Sequence, residues 1–121
     1  MKSILLVEDE PLVVAYITAI TKSLGYRVQA AKDGAEALWM YDLDPAIDAL
    51  VTDVRMPGMD GFELSRTLRA KRPDLPILII SAYFTTHPVE ARNVLDSPGI
   101  HFLAKPFSRD QLIAGFGLLF T

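Results

Sequence analysis

The sequence predicts an α/β fold in which a doubly wound, five-stranded parallel sheet is covered by five helices. Short apolar runs of strand length alternate with segments of helical spacing five times, and most connections between them are short. Runs such as residues 4–7 are apolar throughout, which is typical of strands covered on both faces. That order of elements builds a parallel sheet with right-handed crossovers. The 121 residues contain no repeat or linker, so we expect residues 1–121 to form a single domain.

The first half of the chain predicts two strand–helix units. The first strand, at residues 4–7, stops at an acidic stretch that ends at Pro11. Helical spacing follows over residues 12–24, with Pro11 in the first turn and Gly25 just past the end. The second unit is a short strand at residues 27–30 and a helix at residues 34–42.

The second half predicts three more units. Their strands are expected at residues 49–52, 77–80 and 100–104, and their helices at residues 62–71, 88–95 and 108–120. Pro76 and Ser81 bound the fourth strand. Ser108 and Gln111 have the spacing of a capping box, which supports the start of the last helix.

Composition excludes several kinds of protein. Half of the residues are hydrophobic and 22% are charged, which is typical of a globular protein and not of a disordered one. A net charge of −3 without a basic stripe argues against direct nucleic-acid binding. The absence of cysteine excludes disulfides and thiolate metal sites. The apolar stretch at the start is too short for a signal peptide or a membrane span, so we expect a cytoplasmic protein that does not bind membranes.

Polar side chains follow four of the predicted strands at the point where each strand ends. They are Glu8 and Asp9 after the first strand, Asp53 after the third, Ser81 after the fourth and Lys105 after the fifth. Ligands of open parallel sheets bind at the carboxyl ends of the strands. Each of these residues alone is typical of a solvated loop charge or a helix cap. Their combination favours a functional site at one edge of the sheet.

Three converging carboxylates require a cation. Two of them about 4 Å apart repel by roughly 1 kcal/mol in water and about 4 kcal/mol at an effective dielectric constant near 20. Oxygen ligands with open positions suit Mg²⁺, which bridges carboxylates and phosphate. Lys105 can pair with Asp53 at rest and with a phosphoryl oxygen later, and Ser81 can donate a hydrogen bond to the same group. We therefore expect Asp53 to attack phosphorus and to hold the resulting acyl phosphate.

Four motifs give the chain a clear resemblance to receiver domains. These are the CheY-like phosphoacceptor domains of two-component response regulators and hybrid histidine kinases. The motifs are Leu-Leu-Val-Glu-Asp-Glu at 5–10, Thr-Asp-Val-Arg-Met-Pro-Gly-Met-Asp-Gly at 52–61, Ile-Ile-Ser-Ala at 79–82 and Lys-Pro-Phe at 105–107. The second motif is long and highly specific. The resemblance covers essentially the whole chain and implies the flavodoxin-like (βα)5 fold.

The resemblance also implies roles for individual residues. Asp53 is the phosphorylated residue, and Ser81 and Lys105 contact the phosphoryl group. The ion, Mg²⁺ or Mn²⁺, is held by Glu8, Asp9 and Asp53, directly in the case of Asp9, and by the backbone carbonyl of Arg55. The Lys105–Pro106 peptide bond is expected to be cis.

The partner that the resemblance implies is a sensor histidine kinase or a histidine phosphotransfer protein, which donates the group from a phosphohistidine. Neither His87 nor His101 is expected to be that histidine. The chain itself is expected to be a phosphoacceptor signalling domain, which promotes its own phosphotransfer and dephosphorylation, and not an enzyme.

The resemblance further implies a switch, which couples Ser81 to an aromatic residue in the last strand and changes the surface around the last strand and the last two helices. The aromatic residue here is Phe102, which lacks a hydroxyl group, so the switch would act through ring packing. Strong turn signals between residues 83 and 99 predict a short or shifted fourth helix.

The last helix carries no charge from residue 112 to residue 120, with Phe116 and Phe120 on one side. One face of it must cover the sheet, and the remaining apolar residues are expected to form an exposed patch. We predict that this patch, with the last strand, serves homodimer formation or docking and that Phe116 is the residue on which to test it.

Two other functions are open. A phosphatase or phosphotransferase with an aspartate nucleophile would need a second aspartate two residues after it, where this chain has Arg55. A flavodoxin-like binding module would not need the converging aspartate, lysine and serine.

Overall fold

The computed structural model describes residues 1–82, 94 and 97–120. Its five strands are β1 (Ser3–Val7), β2 (Arg27–Ala31), β3 (Ala49–Asp53), β4 (Ile77–Ser81) and β5 (Ile100–Ala104). The four helices in the described part are α1 (Pro11–Ser23), α2 (Gly34–Leu43), α3 (Gly61–Lys71) and α4 (Arg109–Leu119). Of the helix predicted at residues 88–95 only Val94 is described, and the histidine at position 87 lies outside the described residues.

All five strands form one parallel sheet in the order β2-β1-β3-β4-β5. The predicted parallel sheet is therefore confirmed. Because β1 and β3 are central neighbours, the residues that follow them emerge side by side at the same edge of the sheet. β4 and β5 continue the sheet on the side of β3, with Asp53 opposite Ile80 and Ser81 opposite Ala104.

Alternation along the strands divides the core into two layers. Leu5, Leu50 and Ile79 face one side of the sheet, where Phe62 and Leu68 of α3 cover them. The opposite side is covered by α1 and α4, and the core residues there include Ile4, Leu6, Val51, Ile17, Leu112 and Phe116. Both faces of the central strands are thus buried, as the apolar runs predicted.

Helix α4 buries one face and leaves the other open. Leu112, Phe116 and Leu119 are buried against the sheet, whereas 54% of Leu118 is exposed. The ring of Tyr26 lies edge-on to the ring of Phe116, with 5.5 Å between the ring centroids. Phe116 therefore does not belong to an exposed patch. The sequence pattern missed this because a helix that is apolar all round does not show which face meets the sheet.

Side-chain caps begin three of the helices. Asp33 and Asp60 each accept a hydrogen bond from the amide of the glutamate three residues later, at 2.8 Å in both cases. The capping box predicted for the last helix is present, with Ser108 and Gln111 bonded reciprocally. The cap at Asp60 fixes the start of α3 directly behind the loop that leaves β3.

Candidate functional site

Three carboxylates meet at the carboxyl edge of the central strands. Glu8 and Asp9 follow β1, and Asp53 is the last residue of β3. One oxygen from each of the three lies within 4.8 Å of the others. Glu8 and Asp53 are buried and Asp9 is exposed, so the cluster opens to solvent on the side of Asp9. The convergence of these three residues, predicted from their strand-end positions, is present.

Lys105 bridges two of these carboxylates. Its Nζ atom lies 3.0 Å from Oε2 of Glu8 and 3.1 Å from Oδ2 of Asp53, and 17% of its side chain is exposed. The pairing with Asp53 agrees with the sequence prediction. The pairing with Glu8 was not predicted, because it depends on how far β5 carries the lysine across the sheet. The Lys105–Pro106 peptide bond is cis, as predicted.

The pKa values of Glu8 and Lys105 are both raised, but by different causes. Burial raises the pKa of Glu8 above its ordinary value of 4.5, and the charge of Asp53 raises it further, although Lys105 opposes both effects. Burial lowers the pKa of Lys105, but its hydrogen bonds to Glu8 and Asp53 and their charges outweigh burial, so that the pKa is raised. The different causes follow from one ammonium facing two carboxylates. Lys105 has two opposite charges that stabilise its charged form, whereas Glu8 and Asp53 share a single one.

The backbone after β3 holds the Asp53 side chain. The amide of Val54 donates a hydrogen bond to Oδ1 of Asp53 at 2.7 Å. The other carboxylate oxygen, Oδ2, accepts the hydrogen bond from Lys105. Asp53 is 6% exposed, so its remaining contact with solvent is small. One oxygen is thus fixed by the backbone, and the other is held by a side chain that can move.

The remaining predicted site residues lie in β4, in β5 and just after β3. Ser81 ends β4 beside β3 and is buried. Arg55 is exposed and lines, with Asp9, a surface pocket of about 340 Å³. Phe102 is half-buried in β5 opposite Ile79, and alternation places it on the same face of the sheet as Ser81. His101, which was not expected to take part in the site, pairs with Leu78 in the sheet, away from the strand ends.

The donor set suits a hard divalent cation. All three side chains offer carboxylate oxygens, and two of them are buried next to each other with a single ammonium between them. Oxygen ligands of this kind are those of Mg²⁺, which usually keeps several waters and takes one or two carboxylates. The residues present therefore fit a magnesium ion on the exposed side of the cluster.

Comparison with known proteins agrees with this geometry. The family model described as the response regulator receiver domain matches residues 4–116. The chain belongs to the receiver domain family. It has the CheY-like fold of the receiver domains found in two-component response regulators and hybrid kinases, and in the described residues the sheet and four of its helices are seen. Receiver domains are signalling domains that bind Mg²⁺ at an acidic pocket, and Glu8, Asp9 and Asp53 form such a group here.

Relatives of two kinds resemble this receiver domain. It is 40% identical over 111 residues to the response regulator MprA of Mycobacterium ulcerans, covering 92% of this chain and 47% of MprA. It is 41% identical over 111 residues to the sensor kinase CckA of Brucella abortus, covering 91% of this chain and 12% of CckA. The chain thus spans about half the length of one relative and a small part of the other.

A solved structure also resembles the domain closely. The response regulator TrrA of Thermotoga maritima, in complex with Mg²⁺-BeF, superimposes with a TM-score of 0.85 at 28% identity. The match covers 98% of this chain and 99% of that one.

Among the described residues of this chain, no helix is both long enough and apolar enough to pass through a bilayer.

Proposed function

We propose that this receiver domain accepts a phosphoryl group on Asp53, from a phosphohistidine of a sensor histidine kinase or a histidine phosphotransfer protein, in a Mg²⁺-dependent reaction. The observation that carries the proposal is the position of Asp53, within the carboxylate cluster and 3.1 Å from the Lys105 ammonium. An aspartate with a cation site on one side and a lysine on the other is arranged to form an acyl phosphate. The relatives, a response regulator and a sensor kinase, are proteins of phosphorelay systems.

The chemistry assigns one step to each side chain. An oxygen of Asp53 forms a bond to phosphorus while the bond from phosphorus to the donor's imidazole nitrogen breaks, and the nitrogen keeps the electron pair. Lys105 moves from Oδ2 of Asp53 to a phosphoryl oxygen, because the phosphorylated carboxylate no longer carries its negative charge. Ser81 donates its hydroxyl hydrogen to another phosphoryl oxygen. A magnesium ion held by Glu8, Asp9, Asp53 and the Arg55 carbonyl would offset negative charge on the transferred group.

A protein donor suits the surface beside Lys105. A cleft of about 400 Å³ lies there, and its lining includes Leu12, Tyr16 and Phe107. Leu12 is 85% exposed and Tyr16 is 43% exposed, so α1 presents apolar side chains next to the site. The rings of Tyr16 and Phe107 lie 6.0 Å apart and join α1 to the loop after Lys105. Exposed apolar surface of this kind favours contact with another protein over a small-molecule donor alone.

The output is proposed to follow from Ser81 and Phe102. When Ser81 turns toward the phosphoryl group, the space it leaves allows the ring of Phe102 to repack on the same face of the sheet. The surface around β5, α4 and the helix predicted at residues 88–95 then differs between the two states.

Formation of a homodimer through α4 and β5 stays a prediction, and Leu118 is the apolar residue of α4 through which it would act. Light scattering with and without an acyl-phosphate mimic, on wild type and Leu118→Lys, tests it.

The experiment for the phosphoacceptor itself uses a small phosphodonor such as acetyl phosphate, with Mg²⁺ or with a chelator, followed by intact mass measurement. Wild type should gain the mass of one phosphoryl group only with Mg²⁺, and Asp53→Asn should gain none. Asp33→Asn is the matched control, because Asp33 does not belong to the carboxylate cluster and asparagine keeps the helix cap that it provides. A full gain of mass by Asp53→Asn would refute the assignment.

A further inference from the structure

The first residue of α3, Gly61, lies against the backbone of the proposed phosphoacceptor. Gly61 is buried, and a Cβ atom built on it would lie 2.1 Å from the carbonyl oxygen of Asp53. The same atom would lie 2.9 Å from the carbonyl carbon of Asp53 and 3.0 Å from Cα of Val54. All three neighbours are backbone atoms, which cannot turn aside as the end of a side chain can. Any other residue at position 61 must displace either β3 or α3.

The need for glycine here is one of space. The glycines in the left-handed φ region are Gly25, Gly58 and Gly99, and Gly61 is not among them. Other amino acids could therefore adopt the backbone angles of Gly61 without strain. What they could not do is keep the helix at this distance from Asp53.

Hydrogen bonds connect Gly61 to the Asp53 carboxylate. The amide of Gly61 donates to the carbonyl of Val54 at 2.9 Å, and the amide of Val54 donates to Oδ1 of Asp53 at 2.7 Å. The carbonyl of Asp53 accepts a hydrogen bond from the hydroxyl of Thr52 at 2.8 Å. The peptide group between Asp53 and Val54 is thus held from both sides, and its position sets where the carboxylate stands.

We propose that Gly61 is a positioning residue for phosphoryl transfer, which seats the first turn of α3 on Asp53 and so sets the carboxylate relative to Lys105 and Asp9. This inference rests on the proposed function of Asp53. Moving the added Cβ atom from 2.1 Å to an ordinary contact distance of 3.4 Å or more requires a displacement of more than 1 Å. A misplacement of that size can lower a reaction rate by about 100-fold.

Gly115 provides a matched control. It is also a buried glycine within a helix, and its added Cβ atom would lie 3.1 Å from Cδ2 of Leu78. That neighbour is the end of a flexible side chain, which can move by a few tenths of an ångström. Gly115→Ala thus makes the same chemical change in a buried helix without touching the backbone of Asp53.

The test compares wild type, Gly61→Ala and Gly115→Ala at saturating acetyl phosphate and Mg²⁺, at a temperature where circular dichroism shows all three folded. The phosphorylation rate constant of Gly61→Ala should fall at least tenfold, and that of Gly115→Ala should stay within twofold of wild type. Gly61→Ala alone should also weaken Mg²⁺ binding, measured by titration calorimetry, because a displaced Asp53 no longer lies in place beside Glu8 and Asp9. A merely structural role would lower the melting temperature and leave both the rate constant and the Mg²⁺ affinity unchanged.

The outcomes separate the two proposals. If wild type is not phosphorylated, the proposed function fails, and the Mg²⁺ affinity of Gly61→Ala still decides whether Gly61 sets the position of Asp53. If wild type is phosphorylated and the rate constant of Gly61→Ala falls by less than tenfold, the inference about Gly61 is overturned.

If Gly61→Ala does not fold, the start of α3 can be loosened through its cap. Asp60→Ala loses the hydrogen bond to the amide of Glu63, whereas Asp60→Asn keeps a capping oxygen. The rate constant should then fall at least threefold in Asp60→Ala relative to Asp60→Asn. Equal rate constants in these two variants would overturn the inference.

Discussion

Lys105 holds two buried carboxylates together, and the charged form of Glu8 is the one that this arrangement destabilises. The Glu8 side chain is nearly inaccessible and shares one ammonium with Asp53. A buried carboxylate with only part of a counter-charge destabilises the folded state. A second cation at the exposed side of the cluster would reduce that cost. We therefore expect metal binding to stabilise the fold.

The raised pKa of Glu8 predicts how the metal-free domain responds to pH. Because the folded state binds this proton more tightly than the unfolded state, the contribution of Glu8 to stability is fully present below about pH 4.5 and is lost as pH rises through the raised pKa. At neutral pH, Glu8→Gln should therefore raise the melting temperature of the domain in a chelator. The exposed Glu63→Gln is the control and should change it little. A lower melting temperature for Glu8→Gln would contradict the account.

Asp9 is expected to be the main metal anchor, because it is the exposed member of the cluster and, in the described residues, the cluster's ion pairs involve Glu8 and Asp53 instead. Asp9→Ala should weaken Mg²⁺ binding at least tenfold, which corresponds to about 1.4 kcal/mol. Glu8→Gln should weaken it less, because Glu8 is already held by Lys105. Titration calorimetry measures both. An unchanged affinity in Asp9→Ala would rule out this ligand.

At the scale of the secondary-structure elements, α4 shows how one apolar helix divides into a buried and an open face. Phe116 is 1% exposed and packs under Tyr26, whereas Leu118, two residues later, points to solvent. Phe116→Ala should lower the free energy of unfolding by about 3–5 kcal/mol. Leu118→Ala should change it by no more than about 0.5 kcal/mol.

Urea unfolding of the two variants measures this difference. Similar losses in both would mean that α4 lies in another orientation on the sheet. The same result would remove Leu118 as the candidate residue for homodimer contacts.

At the scale of the whole molecule, the sequence predicted the sheet and the strand-end residues because both depend on local patterns. The strand at Ile100–Ala104 was predicted to the residue, and the bounds of the other described elements differ by one residue at some ends. Glu8, Asp9 and Asp53 could be placed together because parallel strands end at a common edge.

Three features depended on distances between elements and could not be predicted. The second partner of Lys105 follows from the reach of β5 across the sheet, and the orientation of Phe116 follows from how α4 rotates on it. The closeness of Gly61 to Asp53 follows from how α3 approaches the end of β3. The sequence indicates this contact only through a glycine at the first position of a capped helix. Because that glycine follows the turn residues Pro57 and Gly58, it is equally typical of a turn.

If Asp53 accepts the phosphoryl group as proposed, the position of that group along the chain can be found chemically. After reaction with acetyl phosphate and Mg²⁺, borohydride reduces a side-chain acyl phosphate to the alcohol, which converts aspartate to homoserine. Tandem mass spectrometry of the digested protein then identifies the modified position. We expect homoserine at position 53 and at no other aspartate, with none in protein treated without the phosphodonor. Homoserine at another aspartate, or phosphate that survives reduction on a serine or histidine, would contradict it.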